Sequence, residues 1–288
     1  MIARADLRNA ARGTVRKLML LSGRHWARPR LTGRGTVQDL FYWACEDGID
    51  TVVLLSNFYS AFFPGLDTAT TGRLLVYDAN GQPLGEKQVS VGHLQGARFA
   101  LSALLRELAP SRPDARFGSL VTVLDIPPAV IGALRTVEGP FYFWHRSYIG
   151  YTTSAGQFAF VHDVDTALTW KEGASAPIRW YGTVKPRDWA PEMPVEIDDY
   201  ARLHVVLLNR AKGRADVVLR VSDSHEQERR FEGSMAPNGA LRFELTAGAL
   251  AGLEPRDLRL RVEGIPTAFG RPLLFKQFRN GTISVSHS

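Results

Sequence analysis

The sequence predicts a mainly β chain: two tandem antiparallel β-sandwich domains from an internal duplication, preceded by a basic N-terminal helix. Three observations lead there. Strand-like segments recur in the same order in both halves. Turn signals separate short apolar runs. Positive charge is concentrated in the first 34 of the 288 residues.

Composition sets the outer bounds. Apolar residues make up 45% of the chain and charged residues 22%, which excludes wholesale disorder and collagen-like repeats. The apolar runs are too short for a membrane-spanning helix. The single cysteine, Cys45, excludes an intramolecular disulfide and a Cys-rich zinc site. It favours a reducing compartment, so a cytoplasmic protein is expected.

The net charge is +6. The first 34 residues hold nine basic groups against one acid, a net of +8, and the other 254 hold 26 against 28, a net of −2. Arg4, Arg8, Arg12 and Arg16 recur every four residues, and Leu7, Ala11, Val15, Leu18 and Leu21 recur at three or four. Both spacings fit faces of one helix. This arm (residues 1–35) either packs its Leu stripe on the body, or contacts an anionic surface such as a membrane, nucleic acid or acidic protein, or acts as an organelle-targeting peptide. A secretory signal is not expected, because Leu18-Met19-Leu20-Leu21 is short and Arg24 and Arg28 follow it.

The repeat is read segment by segment. Val52-Val53-Leu54-Leu55-Ser56-Asn57 matches Val205-Val206-Leu207-Leu208-Asn209. Arg73-Leu74-Leu75-Val76-Tyr77-Asp78 matches the run from Asp216 to Asp223. Gln95-Gly96-Ala97-Arg98-Phe99 matches the run from Asn238 to Phe243, and Gly156 to His162 matches Gly281 to His287. The offset falls from 152 to 125, which places insertions in the first copy at 58–71 and between Leu124 and Pro140. The segments are short, alternating or wholly apolar, and rich in Val, Leu and Phe, as strands are. Asp78-Ala79-Asn80-Gly81 and Pro237-Asn238-Gly239 are turn signals. Short helices are expected at 36–45 and 101–108, with Pro110 and Pro113 ending the second. The first sandwich is expected at 36–165 and the second at 201–288. Between them, 166–200 holds Trp170, Trp180, Trp189 and four prolines, and reads as an ordered crossing segment.

The run Leu207-Leu208-Asn209, then Ala215-Asp216-Val217 into Asp223, Ala236-Pro237, Arg242-Phe243 and Phe275-Lys276-Gln277 resembles the sensory rhodopsin transducer family. The resemblance covers about residues 185–288, and more faintly 50–163. It implies a small β-sandwich and a non-enzymatic binding or signalling module. That family is a single oligomerising domain, whereas this chain holds two copies, and Asp198-Asp199-Tyr200 does not match its polar motif. Only the fold is carried over, with no functional residues.

No nucleophile elbow, P-loop, dinucleotide-binding glycine run or HExxH is present. The densest chemistry lies at 141–165. There Trp144 and Tyr148 offer stacking faces, and His145, Arg146, His162 and Asp163 offer directional polar groups, as small-molecule sites require. A metal held by His145, His162, Asp163 and Asp165 is a weaker alternative. In the other alternative Phe143, Phe158 and Phe160 are core, and His287 argues for it, since a His kept in both copies suits a backbone carbonyl. The aromatic run 58–63 follows a strand and reads as a buried loop core or an interaction surface, and Asn57 and Asn209 read as turn caps. The expected function is a non-enzymatic module that binds a protein partner or a small polar ligand without a cofactor, possible as a homo-oligomer. The competing class is an enzyme, metal-dependent or acting on a polar or carbohydrate substrate through the 141–165 cluster.

Overall fold

The computed structural model describes residues 34–134, 147–171, 179–181, 186–190, 194–267 and 269–287. Arg4, Arg8, Arg12 and Arg16 lie outside the described residues, as do Trp144, His145 and Arg146. The chain runs β1 (Arg34–Ala44), β2 (Ile49–Ser56), α1 (Phe58–Phe62), β3 (Thr70–Asp78), β4 (Pro83–Val91), β5 (Gly96–Ala100), α2 (Leu101–Leu108), β6 (Phe117–Asp125), α3 (Pro128–Leu134), β7 (Ser147–Thr153) and β8 (Phe158–His162). It continues through β9 (Asp165–Lys171), β10 (Arg179–Tyr181), β11 (Arg187–Trp189), a 3₁₀ turn (Ile197–Asp199), β12 (Tyr200–Leu208), β13 (Ala215–Ser222), β14 (Glu228–Met235), β15 (Ala240–Leu245), β16 (Arg259–Ile265), β17 (Leu273–Phe278) and β18 (Ile283–His287).

These strands form four antiparallel sheets, of orders β10-β9-β1-β6-β3-β4, β5-β2-β7-β8, β11-β16-β13-β14 and β15-β12-β17-β18. The chain is mainly β, but the two tandem sandwich domains expected from the sequence are not what it forms. The strands fall instead into four sheets, one of six strands and three of four. The halves are not separate bodies, because one core joins them. Val206, Leu208, Ala240, Leu273, Phe275 and Val285 of the second half pack in the same cluster as Tyr42, Trp43, Ile149 and Tyr151 of the first. On β12 alternate residues serve different cores. Val206 and Leu208 join that cluster, while Leu203, Val205 and Leu207 join a second one with Val217, Leu219 and Val262. A strand with both faces buried has no polar face to alternate, so its sequence reads as a continuous apolar run.

The same physics corrects the helix expected at 36–45. Val37, Phe41 and Ala44 fit a helical spacing, but Tyr42 and Trp43 are just as buried, and the segment is β1. The helix expected at 101–108 is α2. Strand order repeats: β5-β2-β7-β8 has the order of β15-β12-β17-β18, and β6-β3-β4 that of β16-β13-β14.

The repeated turns are held by the same chemistry. Asp78 Oδ1 accepts from the amides of Asn80 and Gln82, each at 2.9 Å. Asp223 Oδ1 accepts from His225 at 2.9 Å and Gln227 at 3.0 Å. Gly81, at φ +75°, also lies against the second half, where a Cβ would sit 2.1 Å from the Pro237 carbonyl oxygen. Beside it the Ala240 amide donates to the Ala79 carbonyl at 3.0 Å, so backbone hydrogen bonding crosses between the halves.

Candidate functional site

A cavity of about 530 Å³ opens where β1 and β3 begin and β4 and β6 end. Its described lining includes Thr70, Thr71, Ser90, Val91, Asp125 and Ile126, together with Pro127 and Pro128. The antiparallel register brings these ends together, with Thr36 opposite Asp125 and Thr70 opposite Val91. Pro128 opens α3, the position where a helix tolerates proline because its first amides lack partners anyway. The Thr71 hydroxyl donates to Asp125 Oδ2 at 2.8 Å, and the Thr70 hydroxyl donates to the Asp125 carbonyl at 2.6 Å. Asp125 is the one charged lining group among the described residues, and it is exposed to solvent.

A buried polar network fixes the rim. Asn57 caps α1 and its amide donates to the carbonyls of Thr68 at 2.7 Å and Gly92 at 3.0 Å. The Ser60 and Thr68 hydroxyls meet at 2.7 Å, and Thr68 Oγ1 lies 2.9 Å from His93 Nδ1. Asn57, Ser60 and Thr68 are all buried. The insertion at 58–71 therefore opens with the short helix α1 and runs through a loop into β3, and Asn57 at its start ties it to Gly92 of the lining. Asn57 was legible as a cap. None of the lining residues stands out in the sequence, because they come from four strand ends far apart in the chain.

The sequence-predicted site residues fall elsewhere. Tyr148 and His162 stand directly opposite each other on β7 and β8. Phe158 and Phe160 share their face, at 48% and 61% exposure, so these two are not the core residues of the alternative reading. Asp163 is buried beside Thr166, whose hydroxyl donates to Asp39 Oδ1 at 3.0 Å. Near these carboxylates the largely buried Arg210 donates to Gln38 Oε1 at 3.0 Å. Burial pulls the Arg210 pKa down, against the opposing pull of Asp165 and Asp39. None of Tyr148, His162 and Asp163 lines the cavity. Among the described residues no group of three His, Cys, Asp or Glu side chains is placed to hold a metal ion.

The repeated histidines meet at the junction of the halves. The His162 and His287 ring centroids are 4.6 Å apart, and His287 Nε2 lies 3.1 Å from the His162 carbonyl oxygen. Burial lowers the His287 pKa to about 4. His204 on β12 is likewise lowered to about 4, by burial first and then by Arg242 and Arg202. Both folded values lie below the ordinary 6.5, so between about pH 6.5 and 4 the unfolded chain binds more protons. Stability is full above pH 6.5 and falls as the pH drops through that window. The expected loss is on the order of 3 kcal/mol for each histidine. Urea unfolding at stepped pH checks this, and His204→Gln should flatten part of the slope.

No family profile matches the chain, and no curated protein does. Among solved structures it is similar to a Bacteroides uniformis β-glucuronidase at 13% identity, covering 90% of this chain and 27% of that one, with a TM-score of 0.20. A glycosyl hydrolase family 2 member from Bacteroides cellulosilyticus gives 10% identity, 88% and 26% coverage and a TM-score of 0.18. A β-D-mannosidase from Dictyoglomus thermophilum gives 12%, 76%, 24% and 0.18. The chain spans about a quarter of the length of these proteins. Likeness at this level carries no conclusion about the fold or activity of the chain.

Proposed function

We propose that the chain is a non-enzymatic binding module that takes a small polar ligand, neutral or cationic, in the cavity at the strand ends. The observation that supports this reading is the cavity itself. Its volume of about 530 Å³ falls within the range of small-molecule sites, and its lining mixes apolar walls with a few polar groups. Thr71 and Ser90 supply hydroxyls, and Asp125 supplies a carboxylate that accepts from hydroxyl or ammonium donors. An anionic ligand would meet like charge there. We place the module in the cytoplasm, where Cys45 stays a thiol. That thiol donates to Asp50 Oδ1 at 3.2 Å, and burial pushes its pKa up to about 12, which keeps it unreactive.

Titration calorimetry with neutral monosaccharides, linear polyols and primary amines tests the reading, with glucuronate as the anionic control. Binding by at least one neutral or amine ligand is expected, with recovery of the ligand unchanged. Asp125→Asn should weaken an amine about tenfold or more, the worth of a charged hydrogen bond. Ser90→Trp should block the site. Binding indifferent to both substitutions, or a ligand recovered chemically altered, would sink the reading.

A further inference from the structure

The repeated strand order lets each residue of sheet β5-β2-β7-β8 be matched to one of sheet β15-β12-β17-β18. In the first, Arg98, Leu54, Tyr148 and His162 stand opposite one another in a row across the four strands. In the second, Arg242, Val206, Leu273 and His287 form the same row. The neighbouring rows are Ala100, Val52, Gly150, Phe160 and Glu244, His204, Phe275, Val285. The two faces meet different fates. Val206, Leu273, Phe275 and Val285 are buried against the first half, where Phe275 packs edge-on to Tyr151 at 5.1 Å and the Arg242 guanidinium sits 4.4 Å above the Phe117 ring. Arg242 also pairs with Glu46.

The counterpart face is exposed towards its two edges, while Val52 in its middle is 2% exposed and His162 packs on His287. Phe158 and Phe160 stand exposed and stacked at 6.2 Å, Tyr148 meets Phe160 edge-on at 6.0 Å, and Arg98 is exposed. The Phe158 ring lies over Gly150, where a Cβ would fall 2.2 Å from it. No ion pair or side-chain hydrogen bond holds the Arg98 guanidinium among the described residues. Exposed aromatics on one sheet face mark an interaction surface.

From these rows we infer that this face pairs with the same face of a second copy of the chain. It is self-complementary. Arg98 lies on edge strand β5 and the phenylalanines lie on the opposite edge strand β8. The two edges are three strand spacings apart, about 14 Å. A twofold axis parallel to the strands lays β8 of each copy over β5 of the other. Each Arg98 then falls level with the partner's His162 and reaches the partner's Phe160, one row on, for a contact like the one its equivalent Arg242 makes with Phe117 within the chain. This surface is separate from the cavity, so pairing and ligand binding stand or fall independently.

Sedimentation equilibrium of the full chain over the low to high micromolar range tests it. A reversible dimer is expected. Phe160→Ser and Arg98→Glu should each weaken it at least tenfold, while Leu94→Asn, at a residue 70% exposed elsewhere, should not. The substituted side chains are exposed, and unchanged circular dichroism spectra confirm that the variants fold. A chain that is monomeric at every concentration overturns the inference and leaves the face to a different partner. A dimer indifferent to both substitutions overturns it as well.

Discussion

Phe275→Ala is expected to lower the stability of the whole chain by about 3–5 kcal/mol, the cost of a large cavity in a core that relaxes only in part. Phe275 is 3% exposed. It packs edge-on to Tyr151 of the first half and stacks with His204 at 6.2 Å, at the place where the two halves share one cluster. Calorimetry of the parent chain should show one cooperative transition, because neither half buries this face alone. Leu245→Ala, which empties only the second cluster, is the comparison. Both substitutions should lower the midpoint of the same transition. Two resolved transitions in the parent chain, with Phe275→Ala moving only one, would mean that the halves are independent bodies.

The second large effect concerns a pair of matched asparagines. Asn57→Ala should cost about 3 kcal/mol, because it strips the donor from the carbonyls of Thr68 and Gly92 and removes the α1 cap. Asn209→Ala should cost about as much. Its amide donates to the carbonyls of Gly213 at 2.9 Å and Met235 at 3.0 Å, and its Oδ1 accepts from the Ala211 amide at 2.8 Å. The two variants should part company at the cavity. Thr68 and Gly92 anchor the lining on two sides, so Asn57→Ala should also weaken ligand binding about tenfold. Asn209→Ala should leave it unchanged at a temperature where both variants are folded. Equal binding losses in the two would show that the rim network does not set the site.

Much of this was legible because repetition is a strong signal. The recurring segments became strands in a repeated order, and both asparagines became caps. The arrangement of the sheets was not legible. A run such as Leu203 to Leu208 announces burial on both faces without saying which element covers each face. The same blindness turned β1 into an expected helix. The 141–165 region drew attention for its density of aromatic and polar side chains. Of its named residues, the described ones lie on the partly exposed face of one sheet or in buried polar contacts, while the cavity is assembled from Thr70, Ser90 and Asp125, which carry no motif. A site built from strand ends is a product of register, and register is set by the whole sheet.

Hydrogen exchange of the chain with and without the tightest-binding polyol or amine tests the central claim most directly. Amides at 69–71, 90–92 and 126 should gain protection when the ligand is added, and those of β7 and β8 should not change. Protection confined to 147–163, with none around Asp125, would contradict the assignment of the cavity as the binding site.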